Sequence, residues 1–361
     1  MKNTWIQLPI IAAGLVGFAQ QGFSADSPPE PIGYLTQTIA GGGSLTSPRL
    51  SVIAPTLAGA IAWEGLITEV SSNASGPSTI GVSGNPWADD QFNGANGAFY
   101  VEILSPSLPG AIFDVVDTAQ GANPVTSSLV TDRNIGATVK AGDRIRIRPH
   151  ATLGSLFGEA NETGLLASDD PAAADEVVVY HGNSSTSYFY FTGAEGFPAG
   201  WYDSEFALGP GEAAVRVVAP GDSVVVKRKA PGALELRISG VAKAGDTALQ
   251  VGSGTTLLGS PSAGTFTLGN SGLFTGDSAT GVEASDDPST ADEVTLYSAS
   301  GARSYFYFSG YPGYPAGWYD SEFALAPGEA DNIAVPAGSV LAVARKGRPA
   351  FVWAAPAPRK F

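Results

Sequence analysis

Cysteine is absent from the 361 residues, histidine occurs twice, and charged residues make up 15% of the chain. Without cysteine there are no disulfides, no thiolate metal sites and no cysteine nucleophile. The fold must therefore be held by its core, and a chain of this length suffices for two or three domains. With His150 and His181 as the only imidazoles, a Ser-His-Asp arrangement has few bases to draw on and a histidine zinc site lacks ligands. No segment of the mature chain carries a convincing amphipathic helical pattern, and none is long and apolar enough to span a bilayer as a helix. Positive charge is also scarce. Nineteen Lys and Arg face 34 Asp and Glu, a formal net charge of −15. That balance argues against nucleic acid and anionic membranes as partners, and makes a neutral glycan or a divalent cation easier to accommodate.

What is present begins with an export signal. Met1-Lys2-Asn3 is a short positive start, Leu8 to Ala19 is apolar, and the polar QQGFSADSPPE follows, which is the order of a secretory signal peptide. Cleavage after Ala19 or Ala25 fits equally, giving a signal within residues 1–25 and an expected location in the periplasm, at the cell surface or outside the cell. The 12-residue apolar run is too short for a membrane anchor, which needs roughly 20.

A repeat organises the rest. Ala167–Glu212 and Ala284–Glu329 agree at 31 of 46 positions without a gap, at an offset of 117. This is duplication, and it precedes any reading of the fold. Each copy reads as short strands between Gly/Pro turns, and the region before it contains GLITEV, TIGVSG, AFYVEIL, AIFDVVD and DRIRIRP, again short β-branched or aromatic runs. SSNASGPSTIGVSG is turn-rich, as a hairpin requires. The expected architecture is all-β: a small barrel or sandwich-like domain over 26–155, one β-unit over 156–240 and its duplicate over 241–361.

Three constellations stand out. In SYFYF and WYDSEF, side-chain alternation sets Phe189, Phe191, Tyr202 and Phe206 on an expected core side, and Tyr188, Tyr190, Trp201, Asp203 and Glu205 on an expected outer side. The second copy repeats the latter as Tyr305, Tyr307, Trp318, Asp320 and Glu322. Flat rings beside carboxylates suit sugar binding, while packing of cross-strand aromatics explains the same residues without a ligand. Asp203 with Glu205 is also the sharpest enzymatic alternative, a glycosidase pair. Against it, i and i+2 carboxylates point into one surface rather than facing each other. The second constellation is acidic: Asp169, Asp170, Asp175 and Glu176, repeated as Asp286, Asp287, Asp292 and Glu293. Converging carboxylates suit Ca²⁺, although the spacing lacks the calcium-loop pattern and SDDP also reads as an Asx turn. No other cofactor is implied. The third is the row Arg144, Arg146 and Arg148, open to an acidic partner, to solvent, or to acids of the same molecule.

EPIGYLTQTIAGGGS (30–44), GNPWADDQF (84–92), GAFYVEI (97–103), AGDRIRIRPHATLGSLF (141–157) and the paired SYFYF…GWYD segments carry a resemblance to a paralogous family of exported, uncharacterised β-rich proteins of Verrucomicrobia. The middle part is also similar to small β-modules of phage tail proteins. The family implies export and a β fold but no activity. The expectation is thus an exported, non-catalytic structural or binding protein with a glycan or cell-surface component as its partner.

Overall fold

The computed structural model describes residues 30–72, 76–93, 97–120 and 126–357. The export signal expected within residues 1–25 lies outside the described residues. Strand accounts for 44% and helix for 3%, so the all-β expectation holds. The chain opens with β1 (Ile32–Ile39) and β2 (Arg49–Ile53). It then forms β3 (Trp63–Ser72), β4 (Ser78–Ser83), β5 (Phe99–Ile103), β6 (Ile112–Gln120), β7 (Thr126–Thr131) and β8 (Arg144–Pro149), which close into a barrel in the order β3-β4-β7-β6-β5-β8. Alternate residues of these strands fill its interior, including Ile67, Ile80, Val101, Phe113, Leu129 and Ile147. Trp87 of GNPWADDQF packs there edge-on to Trp63, with ring centroids 5.0 Å apart. The hairpin expected from SSNASGPSTIGVSG is the β3–β4 pair, antiparallel from Ser72↔Ser78 to Ile67↔Val82.

Beyond the barrel come β9 (Ala151–Thr152), helix α1 (Leu153–Phe157), β10 (Glu176–His181), β11 (Ser184–Phe191), β12 (Gly200–Asp203), β13 (Val217–Val218), β14 (Ser223–Arg228) and β15 (Leu234–Val241). The second unit supplies β16 (Thr247–Val251), β17 (Thr255–Gly259), β18 (Phe266–Thr267), β19 (Glu293–Ser298), β20 (Gly301–Phe308), β21 (Gly317–Asp320), β22 (Ala334–Val335), β23 (Val340–Ala344) and β24 (Phe351–Ala355).

Pairing divides the chain differently from the expected boundaries. The first unit's sheet runs β12-β11-β10-β14-β2, and β1 pairs with β15. Two of its strands therefore precede the barrel, which is inserted between β2 and β9. The second unit is uninterrupted and has the same layout: β21-β20-β19-β23-β17, with β16 on β24 and β18 on β22. Registers correspond closely. Ile53 lies opposite Val224 and Leu258 opposite Leu341, while Thr152 faces Val217 and Thr267 faces Ala334. The duplication thus extends well beyond the matched 46 residues, and the span 26–155 mixes barrel with first-unit strands.

The two units pack reciprocally. A side chain on Gly221 would strike Leu249 of β16, and one on Gly338, 117 residues later, would strike Gln37 and Leu35 of β1. Gln37 and Leu249 hold matching places, opposite Leu236 and Trp353. Ala54 and Gly259, which follow the matched Ile53 and Leu258, approach each other. Each unit thus offers the other the same patch, as in a two-fold dimer.

Candidate functional site

The alternation expected in the aromatic hairpin is present. Tyr188 pairs with Asp203, Phe189 with Tyr202 and Tyr190 with Trp201. The side expected to face water is nevertheless covered: Tyr188 is 6% exposed, Trp201 1% and Asp203 7%. Leu153, Leu156 and Phe157 around α1, Ile39 of β1, and Leu236 and Ile238 of β15 close over it. The Trp201 indole N–H donates to the Gly158 carbonyl at 2.8 Å. In the second unit Tyr305 and Trp318 are equally buried, and Tyr307 stacks on Phe274 with centroids 3.4 Å apart. Tyr190 and Tyr307 are half-buried, and only Glu205 and Glu322 of the expected outer set are fully exposed. Both faces of the sheet are core faces, so the rings offer no open stacking platform.

Asp203 has a structural task. Its Oδ1 accepts the N–H of Leu208 at 2.8 Å, and its Oδ2 accepts those of Ala207 at 3.0 Å and Glu205 at 3.3 Å. Burial pushes its pKa up, but those backbone donors outweigh it and hold the carboxyl below the ordinary range. The turn they stabilise ends β12 at Asp203 and carries Phe206 at φ 53°, a left-handed conformation costly for an aromatic residue. Phe206 therefore leaves the strand and rests, 39% exposed, over Phe189, Phe191 and Tyr202 instead of joining the core as a strand residue. Asp320 and Phe323 repeat the arrangement, with Asp320 accepting from Ala324 at 2.9 Å and Leu325 at 2.8 Å.

The acidic constellation does not converge. Asp175 is buried against Arg228 and accepts the N–H groups of Leu166 and Lys229. Asp292 is buried against Arg345 at 2.8 Å in the same way. Asp170 and Asp287 are exposed and cap the turns at Ala172 and Ser289, the Asx geometry that SDDP allows. Asp169 and Asp286 are exposed beside them, and Glu293 reaches only the Thr295 hydroxyl, at 3.4 Å. Among the described residues no group of three or more His, Asp or Glu side chains is placed to hold a metal ion.

Three of the singled-out acids do meet. Glu176, Asp203 and Glu205 line an open polar groove of about 550 Å³ on the first unit, with Ser185, Thr186, Ser187, Ser204 and Lys229. Glu176 accepts from Ser187 Oγ at 2.7 Å and Lys227 Nζ at 2.9 Å. Burial raises its pKa, and these two hydrogen bonds override that and lower it. Lys229 donates to the Ala172 carbonyl at 2.8 Å. Among the described residues the Glu205 carboxylate and the Ser185 and Ser204 hydroxyls engage no protein partner, so their hydrogen-bonding capacity is open to a ligand. At the matching positions the second unit keeps Glu293, Ser304, Asp320, Ser321, Glu322 and Lys346 but places Ala302, Arg303 and Ala344 where Ser185, Thr186 and Lys227 stand. The chain matches no protein-family model, no curated protein and no solved structure.

The arginine row pairs with acids of the same molecule. Arg144 and Arg146 share Glu64 at 2.8 and 2.6 Å, and Glu30 bridges Arg146 at 2.8 Å and Arg148 at 2.6 Å. Glu102 joins Arg148 at 3.2 Å to Lys243 at 2.8 Å. This buried network ties the barrel to the start of β1 and to the segment between the units. Among the described residues the most exposed aromatics are Phe197, Tyr311 and Tyr314, at the tips of the β11–β12 and β20–β21 hairpins. Sequence reasoning passed over them. Their signal was available in SGYPGYPAG, a Gly/Pro turn with aromatic residues between two strands.

Proposed function

We propose that this is an exported, non-catalytic binding protein of the cell surface or extracellular space, with a polyhydroxylated, glycan-like ligand in the polar groove of the first unit. The observation that carries the reading is the division of labour between the groove's carboxylates. Both oxygens of Asp203 are occupied by backbone N–H groups, while Glu205 and the Ser185 and Ser204 hydroxyls have no partner among the described residues. A glycosidase needs two carboxyl groups flanking a scissile bond, and the pair on which that alternative rests has lost one member to the turn. Hydrogen-bonding groups on a rigid sheet suit recognition instead. The acidic surface favours a neutral ligand over an anionic one. The test is retention of the mature chain on a panel of neutral polysaccharides, with and without Ca²⁺, beside Glu205→Gln and Ser185→Ala variants. Retention weakened by both substitutions supports the groove. A chain that none of the panel retains, or retention indifferent to both variants, refutes it.

A further inference from the structure

The β20–β21 tip is built differently from the rest of the aromatic surface. Tyr311 and Tyr314 exchange both backbone bonds, Tyr311 N–H to the Tyr314 carbonyl at 2.9 Å and the reverse at 2.8 Å. They form a directly opposed, hydrogen-bonded antiparallel pair, whose side chains project to the same side from Cα atoms about 5.5 Å apart. Pro312 and Gly313 close the turn, with Gly313 at φ 92°, and the Tyr319 hydroxyl pins its far side by donating to the Pro315 carbonyl at 3.0 Å. Tyr311 and Tyr314 are 64% and 57% exposed, against 1% for Tyr305 in the same hairpin. Rigid, uncovered rings cost little conformational entropy on binding.

We propose that Tyr311 and Tyr314 form a second binding site, a stacking platform for a neutral saccharide. Two observations favour that occupant. The tip from Ser309 to Gly317 contains no charged residue, so it offers no fixed charge to pair with an ionic ligand, and the net charge of −15 disfavours an anionic one. The two rings also carry hydroxyls beside apolar faces, the combination that meets the C–H face and the hydroxyl rim of a pyranose together. The first unit's tip has the same reciprocal backbone pair, Ala194 with Phe197 at 3.0 and 2.9 Å, but holds a single ring and places Glu195 in the turn. It is the weaker platform. This inference shares with the groove reading only the class of ligand.

The experiment uses the full mature chain on the same neutral polysaccharides and on phosphatidylcholine vesicles, comparing wild type, Tyr311→Ala with Tyr314→Ala, Phe197→Ala and Glu205→Gln. Melting temperature serves as the fold control. The double tyrosine variant is expected to keep its melting temperature and lose polysaccharide affinity by about tenfold or more, with Phe197→Ala causing a smaller loss. Unchanged affinity in the double variant overturns the platform even if Glu205→Gln weakens retention, in which case the groove stands alone. A loss confined to the tyrosine variant retains the platform and refutes the groove. Tyrosine-dependent retention on vesicles but not polysaccharide overturns the saccharide assignment, and no retention anywhere overturns both.

Discussion

Glu30 is a residue whose loss should be strongly felt. Its carboxylate is 3% exposed and touches two guanidinium groups, Arg146 at 2.8 Å and Arg148 at 2.6 Å, with Arg148 itself fully buried. It also accepts the Ala244 N–H at 3.2 Å, so one side chain joins the barrel to the segment between the units. The cluster holds Arg144, Arg146, Arg148 and Lys243 against Glu30, Glu64 and Glu102, an excess of one positive charge. Glu30→Gln preserves shape but raises that excess to two and turns an amide N–H₂ toward a guanidinium. Breaking a buried pair in this way costs about 3–5 kcal/mol, a large part of the roughly 5–15 kcal/mol that holds a domain folded. Urea unfolding followed by tryptophan fluorescence is the appropriate assay, since urea leaves ionic strength unchanged. A midpoint shift worth less than about 1 kcal/mol would refute the reasoning. The double variant Glu30→Gln with Arg148→Met adds a second check. It removes the stranded cation together with its partner, so it should lose clearly less than the two single variants summed.

Three further outcomes follow from the same geometry. Trp201→Ala empties a fully buried indole site and removes one of the two hydrogen bonds to the Gly158 carbonyl, which keeps the Asn161 N–H at 3.1 Å, so the first unit should lose about 3–5 kcal/mol in thermal or urea melts; an unchanged melt contradicts the packing described. Asp203→Asn and Asp320→Asn should each cost about 1–3 kcal/mol by weakening the turn that carries the left-handed Phe. Because both folded pKa values are depressed, that stabilisation is present above the ordinary carboxylate value and fades as pH falls through the folded one, and the Asn variants should show a flatter acid limb. His181 bonds Asp222 at 2.8 Å, and this hydrogen bond, with the adjacent negative charge, raises its pKa over the usual 6.5. Its contribution to stability is complete below pH 6.5 and disappears as pH rises through the folded value, and an NMR titration should show the resonance returning to ordinary behaviour in Asp222→Asn.

The strands, the barrel and the duplication were legible because short β-branched runs bounded by Gly and Pro leave few other conformations. The alternation within SYFYF and WYD was legible for the same reason. Which side of that hairpin meets water was not, since the cover over Trp201 comes from Ile39 of β1 and from Leu236 and Ile238 of β15, separated from it along the chain. Local pattern cannot name a distant lid. The insertion of the barrel escaped notice because β2 and β17 hold the same register with little shared sequence, RLSVI against TTLLG. Thr152-Leu153-Gly154 and Thr267-Leu268-Gly269 were a surviving hint, each opening a short helical turn after the paired β9 and β18. The arginine row was read with its partners open, because Glu30 and Glu64 lie about 80 residues or more upstream of Arg146. Asp203 misled for a different reason: a carboxylate beside a tryptophan reads the same whether it faces a sugar or caps a turn.

The two units differ in a pattern that bears on what was retained after duplication. Within the matched 46 residues the main buried tasks recur at matching positions, including Asp175 and Asp292 on their arginines, Trp201 and Trp318 in their cores, and Asp203 and Asp320 in their turns. The substitutions gather where the chain meets solvent: Ser185-Thr186 against Ala302-Arg303 in the groove, and Ala194, Glu195 and Phe197 against Tyr311, Pro312 and Tyr314 at the tip. The first unit has the groove with open hydroxyls and a poor tip, and the second has the two-ring tip and an altered groove. Two equal sites would add avidity for one repeating ligand, and that requires the surfaces to stay alike. A rigid pair of scaffolds whose surfaces have drifted apart, locked together by the reciprocal contacts of Gly221 and Gly338, instead presents two unlike contacts at a fixed spacing. If both proposed sites bind, that arrangement would discriminate by geometry, because a ligand must match both contacts and the distance between them to gain from the second.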